Sequence, residues 1–260
     1  MSNRTRHILI GLLGIVVVYC LAKLAMIGYG YVQATQIAER AQQEYLKPAA
    51  PVSTDAAQLT AQQMTPSDTV PQPVLPPQVD FDALKQKNPD VVAWLWIADS
   101  NISYPILRGE DNQKYLSTAY NGERSVAGSI FMDYRNQADF SDRNTIIYGH
   151  NMKDHSMFGA LKKYRDQTYA ENHQTVYLLT PTKTRCYKVF AVYDATVLDS
   201  CYTRNFDSED ALKAELSHAV NRSFFAAKTL PDTSHNYITL STCTADTQNR
   251  LILQAYAVDK

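Results

Sequence analysis

The sequence lacks an excess of charge of either sign. Its 260 residues include 25 Lys or Arg and 26 Asp or Glu, which leaves a formal net charge of -1. Proteins that bind nucleic acids usually carry a basic face or a strongly basic domain, so nothing indicates a nucleic-acid partner. Internal repeats are absent as well. A chain of this length with 45% hydrophobic residues can bury one core together with a tail outside it.

Cysteine is scarce, and no C-x-x-C pair occurs. The four cysteines are Cys20, Cys186, Cys201 and Cys243, so zinc-ribbon and thioredoxin-type chemistry are unsupported. Cys20 lies within an apolar run, which leaves an odd number elsewhere, and at least one of those thiols must stay free or pair with another molecule. Fifteen strand-like positions separate Cys186 from Cys201 (201 − 186 = 15). Because an extended chain of that length spans tens of ångströms, two packing thiols are favoured over a disulfide.

A long apolar run near the N-terminus predicts a membrane segment. Residues 8–22 are apolar throughout, and the run continues to residue 27 with only Lys23 interrupting it, which is long enough to cross a bilayer as a helix. Arg4 and Arg6 precede the run, so the positive-inside rule places the N-terminus in the cytoplasm and the rest outside. A cleaved secretory signal is the alternative, although no clear cleavage site follows. Under both interpretations, the remainder of the chain is exported.

Composition divides the chain into three parts. Residues 1–32 are the cytoplasmic tip and the anchor. Residues 33–79 are predicted to be an extracytoplasmic helix, over 34–45, followed by a disordered spacer over 47–79 that is rich in Pro, Ala, Thr, Gln and Ser. Such a spacer cannot bury enough apolar surface to fold, and it would hold the domain away from the bilayer. The folded domain is expected over residues 80–260.

Short apolar runs separated by turn residues dominate that domain. They are rich in Val, Ile, Tyr and Phe and have strand length, so they favour a mostly β fold, with a mostly antiparallel sheet closed into a barrel. The predicted strands cover residues 91–97, 102–107, 129–132, 144–148, 175–179, 185–197, 237–241 and 251–258. The predicted helices cover 81–87, capped by Asp80 or Asp82, then 156–164, and 208–227, capped by Ser208 or Asp207.

Cys243 is the first candidate for chemistry. It ends the strand-like run YITLSTC, and the polar stretch TADTQNR leads to Arg250, where another strand-like run begins. Neighbouring antiparallel strands would bring the thiol close to the guanidinium, and a fixed cation lowers the pKa of a thiol and stabilises an oxyanion. A buried, inert cysteine beside a surface arginine is the alternative. Asp246, in the connecting loop, is interpreted as a solvated carboxylate.

His150 is the second candidate. It ends the strand-like run NTIIYGH, which opens into a polar loop, so its imidazole should project at a strand end. A cysteine nucleophile needs an acid or base within hydrogen-bond reach, and histidine has the appropriate pKa range. An ordinary core or loop histidine is the alternative. His155 and His173 do not complete a ligand set with it, and we therefore expect no required metal and no cofactor.

Together these motifs resemble the sortase family. TLSTC with its downstream arginine, and NTIIYGHNM upstream, are similar to the sortase signature. The stretches NPDVVAWLWIADSNISYPILRGEDNQKYL, GSIFMDYRN and DHSMFGALKKY resemble class B sortases, and the resemblance covers about residues 81–258. It implies an eight-stranded β-barrel with peripheral helices, and a cysteine transpeptidase that faces the outside of a Gram-positive-type cell.

The resemblance also implies roles for single residues. Cys243 would be the nucleophile, His150 the acid for the leaving amine and then the base for the incoming one, and Arg250 the clamp for the oxyanion. The interval between Cys243 and Arg250 is short for the family. The implied partners are secreted or surface proteins with a C-terminal sorting motif, an amine acceptor on a peptidoglycan cross-bridge or a pilin lysine, and the membrane. The candidate substrate-binding residues are Thr242, Ser241, Asn151 and Tyr148.

Two other functions remain open. A cell-wall cysteine hydrolase or protease would also use cysteine and histidine, but in those families the cysteine usually precedes the histidine and opens a helix. Here His150 comes first and Cys243 closes a strand. A membrane-anchored binding domain would leave Cys243 without a catalytic role. The sequence decides neither the sorting motif nor the identity of the acceptor amine.

Overall fold

The computed structural model describes residues 3–48, 75–227, 231–243 and 249–258. Its α-helices are α1 (Asn3–Tyr45), α2 (Phe81–Lys87), α3 (Gln167–Asn172) and α4 (Glu209–Arg222). Its strands are β1 (Leu46–Lys47), β2 (Gln78–Val79), β3 (Val91–Trp96), β4 (Ser103–Leu107), β5 (Ile130–Met132), β6 (Asn144–His150), β7 (Thr175–Leu179), β8 (Thr184–Thr196), β9 (Tyr237–Cys243) and β10 (Asn249–Ala257). Short 3-10 helices cover Lys114–Leu116, Phe158–Arg165 and Ser200–Tyr202.

Strands β3 to β10 close into one barrel. Their order is β10-β8-β7-β3-β4-β5-β6-β9, and β9 pairs back onto β10. The pairs β4/β5 and β6/β9 are parallel, and the other six are antiparallel. Each strand predicted from the sequence is a strand of this barrel, so the mostly β, eight-stranded fold is confirmed. Parallel neighbours require long crossover connections, and these contain α3, α4 and the three 3-10 helices named above.

Alternate residues of the strands fill the barrel, as a side-chain period of two requires. Leu95, Leu240, Leu251 and Leu253 meet Phe158 in one cluster, and all five side chains are 5% exposed or less. Burying each such side chain contributes about 1.5–3 kcal/mol, which makes this cluster the main source of barrel stability. Two further clusters cover the outside, one beneath α1 and α2 and one beneath α4.

Two peripheral helices differ in part from the sequence prediction. The predicted helix over 156–164 is a 3-10 helix, and the one predicted over 208–227 is α4, which ends at Arg222. Of the alternative N-cap residues, Asp80 and Ser208 are the ones that cap these helices. Each side chain accepts a hydrogen bond of 3.1 Å from the backbone N–H of the residue three positions later. Helix α3 was not predicted, because its six residues carry too short an apolar pattern.

Helix α1 is continuous, and its two ends have different surroundings. The large apolar side chains of residues 8–27 are exposed, and by length and composition this part could cross a membrane. The C-terminal part packs on the folded domain through Ile37, Ala41 and Tyr45, all 6% exposed or less. The end of α1 therefore packs in the same buried cluster as residues of the barrel strands.

The predicted spacer falls mostly outside the described residues, which stop at residue 48 and resume at residue 75. Its ends pair as the short antiparallel ladder of β1 and β2, with Leu46 opposite Val79. Lys47 Nζ also lies 2.9 Å from Asp80 Oδ2. Residues 46–47 and 78–80 are thus held side by side. Helix α1 itself contacts the barrel strands beside this ladder.

Cys201 is a free thiol that is fully buried. No disulfide therefore joins it to Cys186, which is what the sequence favoured. Burial raises the pKa of the Cys201 thiol, and the carboxylates of Asp199 and Glu215 raise it further. Cys201 therefore stays protonated and is unsuited to act as a nucleophile.

Candidate active site

Two parallel strands bring His150 and Cys243 to the same level of the barrel. The pairing of β6 with β9 runs from Asn144 opposite Tyr237 to His150 opposite Cys243. Paired strands lie about 4.8 Å apart. Two residues that are 93 positions apart in the chain (243 − 150 = 93) are thus neighbours at the ends of adjacent strands.

Arg250 lies on the third strand of the same group. The antiparallel pairing of β10 with β9 is described as far as Ile252 opposite Ser241. Continuing that register by two positions puts Arg250 (252 − 2) opposite Cys243 (241 + 2). With that register, the three residues predicted to be catalytic would fall in one row across β6, β9 and β10, which we call the catalytic row.

A backbone carbonyl holds the imidazole of His150. Its Nε2 lies 2.7 Å from the carbonyl oxygen of Leu116, which ends a 3-10 helix in the β4–β5 connection. Because a carbonyl can only accept, Nε2 carries the hydrogen of this bond. Nδ1 is therefore the nitrogen of His150 that can exchange a proton with a reacting group.

Gly149 allows β6 to pass close to the barrel core just before His150. A Cβ at this position would overlap Cδ1 of Ile130 and lie 2.8 Å from the ring of Phe158, so any larger residue would force these side chains to move. Position 149 therefore faces the core. His150, the next residue, faces outward, because successive strand residues alternate between the two faces.

The four candidate substrate-binding residues have different environments. Tyr148 and Ser241 lie opposite each other, two positions before the catalytic row on the same face. Thr242 is fully buried, and its Oγ1 accepts the backbone N–H of Leu251 at 2.9 Å, which ties β9 to β10. Asn151 follows β6, and its Oδ1 is buried with no hydrogen-bond partner in the described parts of the chain. Tyr148 and Ser241 therefore lie on the same face as the candidate catalytic residues, whereas Thr242 stabilises the pairing of barrel strands.

Tyr202 adds a second aromatic ring to that face. Its ring stacks on Tyr148 with centroids 6.3 Å apart, and its hydroxyl lies 2.9 Å from Oγ of Ser241. Phe131 packs against Tyr148 with ring centroids 5.3 Å apart. No local sequence pattern indicates Tyr202, because it reaches this face from a 3-10 helix that follows β8.

A buried carboxylate fixes the hydroxyl of Tyr148. Oδ2 of Asp133 accepts hydrogen bonds from Tyr148 Oη at 3.1 Å, Asn112 Nδ2 at 3.0 Å and Arg135 Nη2 at 2.8 Å. Burial alone would raise the pKa of Asp133, but the bonds from Arg135 and Asn112 outweigh it and hold the pKa at about 2. The only sequence signal for this support was the D-x-R spacing within GSIFMDYRN.

Replacing Asp133 by asparagine is expected to lower the free energy of unfolding at neutral pH by about 1.5–3 kcal/mol, the range for hydrogen bonds to a charged group. The folded pKa of about 2 lies below the unfolded value near 3.9, so the carboxylate stabilises the fold above pH 4. That contribution is lost as the pH falls through about 2. Thermal unfolding from pH 7 to pH 2 should therefore show the two proteins converging in acid. Glu110→Gln, at an exposed carboxylate, is the control for net charge, and a pH-independent difference would contradict the prediction.

The other histidines considered in the sequence lie apart from the catalytic row. His173 ends α3 and stacks on Tyr169, with ring centroids 3.8 Å apart. His155 lies in the turn after β6 with a φ of 62°. Within the described ranges, neither belongs to a group of side chains spaced to hold a metal ion. Asp246, with the rest of the 244–248 loop, lies outside those ranges.

Comparison with known sequences points to one family. The sequence model of the Sortase domain matches residues 95–258, which contain all three strands of the catalytic row. Sortase B of Listeria monocytogenes is 38% identical over 184 residues, covering 68% of this chain and 73% of that protein. Sortase B of Staphylococcus aureus is 29% identical over 178 residues, covering 67% of this chain and 73% of that protein.

Comparison with solved structures agrees. The crystal structure of sortase B from B. anthracis in complex with AAEK1 superposes with a TM-score of 0.72 at 32% sequence identity. The superposition covers 89% of this chain and 99% of that one. It therefore extends beyond the region that the family sequence model matches.

Proposed function

Because this chain belongs to the sortase family, as a cysteine transpeptidase of the sortase B type, we propose that it cuts a C-terminal sorting signal of secreted proteins through a thioacyl-enzyme on Cys243. The acyl group then passes to an amine. What supports this proposal is the pairing of β9 with both of its neighbours: His150 on β6 lies opposite Cys243, and the register of β9 with β10, continued by two positions, reaches Arg250.

The first half of the reaction forms the thioacyl-enzyme. The thiolate of Cys243 attacks the carbonyl carbon of the scissile peptide bond, and the negative charge moves to the carbonyl oxygen. Arg250, on the neighbouring strand, stabilises that oxyanion. When the tetrahedral intermediate collapses, the C–N bond breaks, and protonated His150 gives its Nδ1 proton to the departing amine.

The second half transfers the acyl group. Neutral His150 takes a proton from the incoming amine as its nitrogen attacks the thioester carbonyl. Arg250 again stabilises the oxyanion, the C–S bond breaks, and Cys243 leaves as the thiolate. The bond from Nε2 to the Leu116 carbonyl stays in place throughout, so the same nitrogen of His150 serves both halves.

Replacing Arg250 by alanine is expected to lower kcat/KM for peptide cleavage by about 10²–10³-fold, the usual effect of losing one oxyanion-stabilising group. Arg250→Lys should recover only part of the loss, because lysine keeps the charge but not the planar fork of donors. Steady-state cleavage of a fluorogenic sorting peptide measures both variants.

The control for the Arg250 variants is Arg165→Ala. Arg165 pairs with Asp194 at 2.6 Å, and its side chain is 45% exposed and has no role in the proposed reaction, so its removal should leave kcat unchanged. A loss in the Arg250→Ala variant that appears only as a higher KM would contradict the oxyanion role. It would assign Arg250 to ground-state binding of the substrate instead.

The proposed reaction is tested with the full chain in detergent and a panel of candidate sorting peptides. Thiol-dependent cleavage that accelerates with hydroxylamine or a glycine peptide supports transpeptidation, because an added amine consumes the thioacyl-enzyme. Cleavage that ignores amines would identify a cysteine hydrolase. Absence of any thiol-dependent reaction across the panel would contradict the proposal and favour a non-enzymatic, membrane-anchored binding domain.

The proposal includes a place in the cell envelope. The exposed apolar part of α1 and the preceding Arg4 and Arg6 support a single membrane span with a cytoplasmic N-terminus and the barrel outside. The substrates would be secreted or surface proteins, and the acceptor would be a peptidoglycan cross-bridge amine or a pilin lysine. Protease added to intact protoplasts should degrade the barrel and spare an N-terminal tag; the opposite pattern would reverse the orientation.

A further inference from the structure

A buried carboxylate on α4 has no hydrogen-bond partner. Glu215 is 4% exposed, and neither Oε1 nor Oε2 receives a hydrogen bond from the residues that the structure describes. Burying an ionised carboxylate is costly unless it is paired or bound to a cation. The position of Glu215 therefore calls for a partner.

Two buried tyrosine hydroxyls lie close to the same carboxylate. Tyr193 on β8 and Tyr237 on β9 are each 1% exposed, and across the described ranges neither hydroxyl has an oxygen or nitrogen partner, while that of Tyr193 lies beside the thiol of Cys201. Burial raises the pKa of both phenols, and the negative charge of Glu215 is among the further causes. Glu215 and these tyrosines thus leave polar atoms unsatisfied in one region beneath α4, which indicates a missing polar or ionic partner there.

Asp199 and His218 converge on that region. One ligand atom from each of Asp199, Glu215 and His218 lies within 4.8 Å of the other two, and His218 Nδ1 is 4.0 Å from Glu215 Oε2. Glu215 and His218 are three residues apart and share a face of α4, while Asp199 caps the 3-10 helix that follows β8. The side chain of His218 is 44% exposed, so an ion can enter from solvent.

We propose that Asp199, Glu215 and His218 bind a divalent first-row transition metal ion such as zinc. Two carboxylates and an imidazole are a donor set suited to zinc, cobalt or manganese, whereas calcium and magnesium prefer oxygen ligands alone. Zinc ligands lie about 2.0–2.2 Å from the ion, and hence at most about 4.4 Å from one another. Small side-chain rotations would close the observed spacing onto an ion.

Arg222 sets the charge balance of this site. Its Nη1 lies 2.6 Å from Asp199 Oδ2 and 3.3 Å from His218 Nε2, and its Nη2 donates to the carbonyl of Asp194. Two carboxylates and one guanidinium leave a net negative charge when His218 is neutral, which favours a cation. The ion and the guanidinium compete for Asp199, so Arg222→Gln should tighten metal binding.

A bound ion would connect α4 to the face of the catalytic row. Asp199 begins the short helix that carries Tyr202, whose hydroxyl lies 2.9 Å from Ser241 and whose ring stacks on Tyr148. Metal binding would hold α4 and this helix together against β8. The site is separate from the catalytic row, and the inference does not depend on the proposed reaction.

The test is equilibrium dialysis of the full chain in detergent against Zn²⁺ and Co²⁺. His150→Ala and Cys243→Ala are introduced first, so that the catalytic row cannot bind the ion. One ion per chain is expected, and His218→Ala should weaken binding by at least about 10-fold, as loss of even an indirect contact to a metal does. His235→Ala, which removes an imidazole 2.8 Å from Asp232 at the surface, should have no effect. Calcium and magnesium should not compete.

If His218→Ala folds poorly, the effect of zinc on the Tm of a second variant tests the same site. Zinc should raise the Tm of the parent protein but not that of Glu215→Gln, which is nearly the same shape. Without zinc, Glu215→Gln should be more stable than the parent, because it removes a buried charge. The site is overturned if the parent binds no stoichiometric ion, or if Glu215→Gln and His218→Ala bind zinc as tightly as the parent.

Discussion

Replacing Cys243 by alanine is expected to lower the rates of peptide cleavage and amine transfer by at least about 10⁴-fold. When residues act as one catalytic unit, removing one of them costs nearly as much rate as removing all of them. Without the sulfur no thioacyl-enzyme can form, so the reaction loses its covalent route. Mass spectrometry should show a peptide adduct on the parent enzyme and none on the variant. Cleavage of a fluorogenic sorting peptide gives the rates.

Cys201→Ala is the matched control for this variant. Cys201 is fully buried, and its pKa is raised by burial and by nearby carboxylates, so its loss should cost some stability but leave the rate per folded molecule unchanged. A Cys243→Ala protein that still formed the adduct, or still cleaved the peptide at a comparable rate, would remove Cys243 from the proposed mechanism.

The strands of the barrel were predictable because each is a short apolar run closed by turn residues. The runs that end at His150 and Cys243 were both identified in this way. Their parallel pairing was not predicted from local patterns, because 93 positions separate the two residues (243 − 150 = 93) and pairing at that distance depends on the whole topology. The family resemblance implied that Cys243 and His150 act together, which periodicity could not show, but it did not give the parallel pairing.

The end of α4 shows where local periodicity gives a wrong boundary. The apolar stripe continues through Phe224, so the sequence predicted a helix to residue 227, yet α4 ends at Arg222. The backbone N–H of Phe224 donates to the carbonyl of Val192 at 2.7 Å, and Oγ of Ser223 accepts the N–H of Val192 at 3.1 Å. These bonds to β8 replace the next helical turn, and no helical pattern contains them.

The orientation of the His150 imidazole could not be predicted from the sequence for a related reason. Its partner is the backbone carbonyl of Leu116, 34 positions earlier in the chain. A backbone atom leaves no residue-type signal, since any side chain at that position presents the same carbonyl. The burial of the Glu215 carboxylate could not be predicted either, because an acidic residue on an amphipathic helix normally faces solvent.

Replacing His150 by alanine or glutamine is expected to lower the rate of peptide cleavage by about 10²–10⁴-fold, the usual contribution of a general acid and base. Glutamine can still donate a hydrogen bond to the Leu116 carbonyl but cannot transfer a proton, so it should be nearly as inactive as alanine. Combining His150→Ala with Cys243→Ala should reduce activity little further than Cys243→Ala alone, because the two side chains act as one unit.

A substrate with a better leaving group separates the acid role of His150 from a purely structural one. A thioester or aryl ester analogue of the sorting peptide releases a group that needs no proton, so His150→Ala should acylate much faster on that analogue than on the peptide. Arg250→Ala should gain no such advantage, because an oxyanion forms with either substrate. Equal losses for His150→Ala on both substrates would mean that His150 positions the site and does not donate the proton.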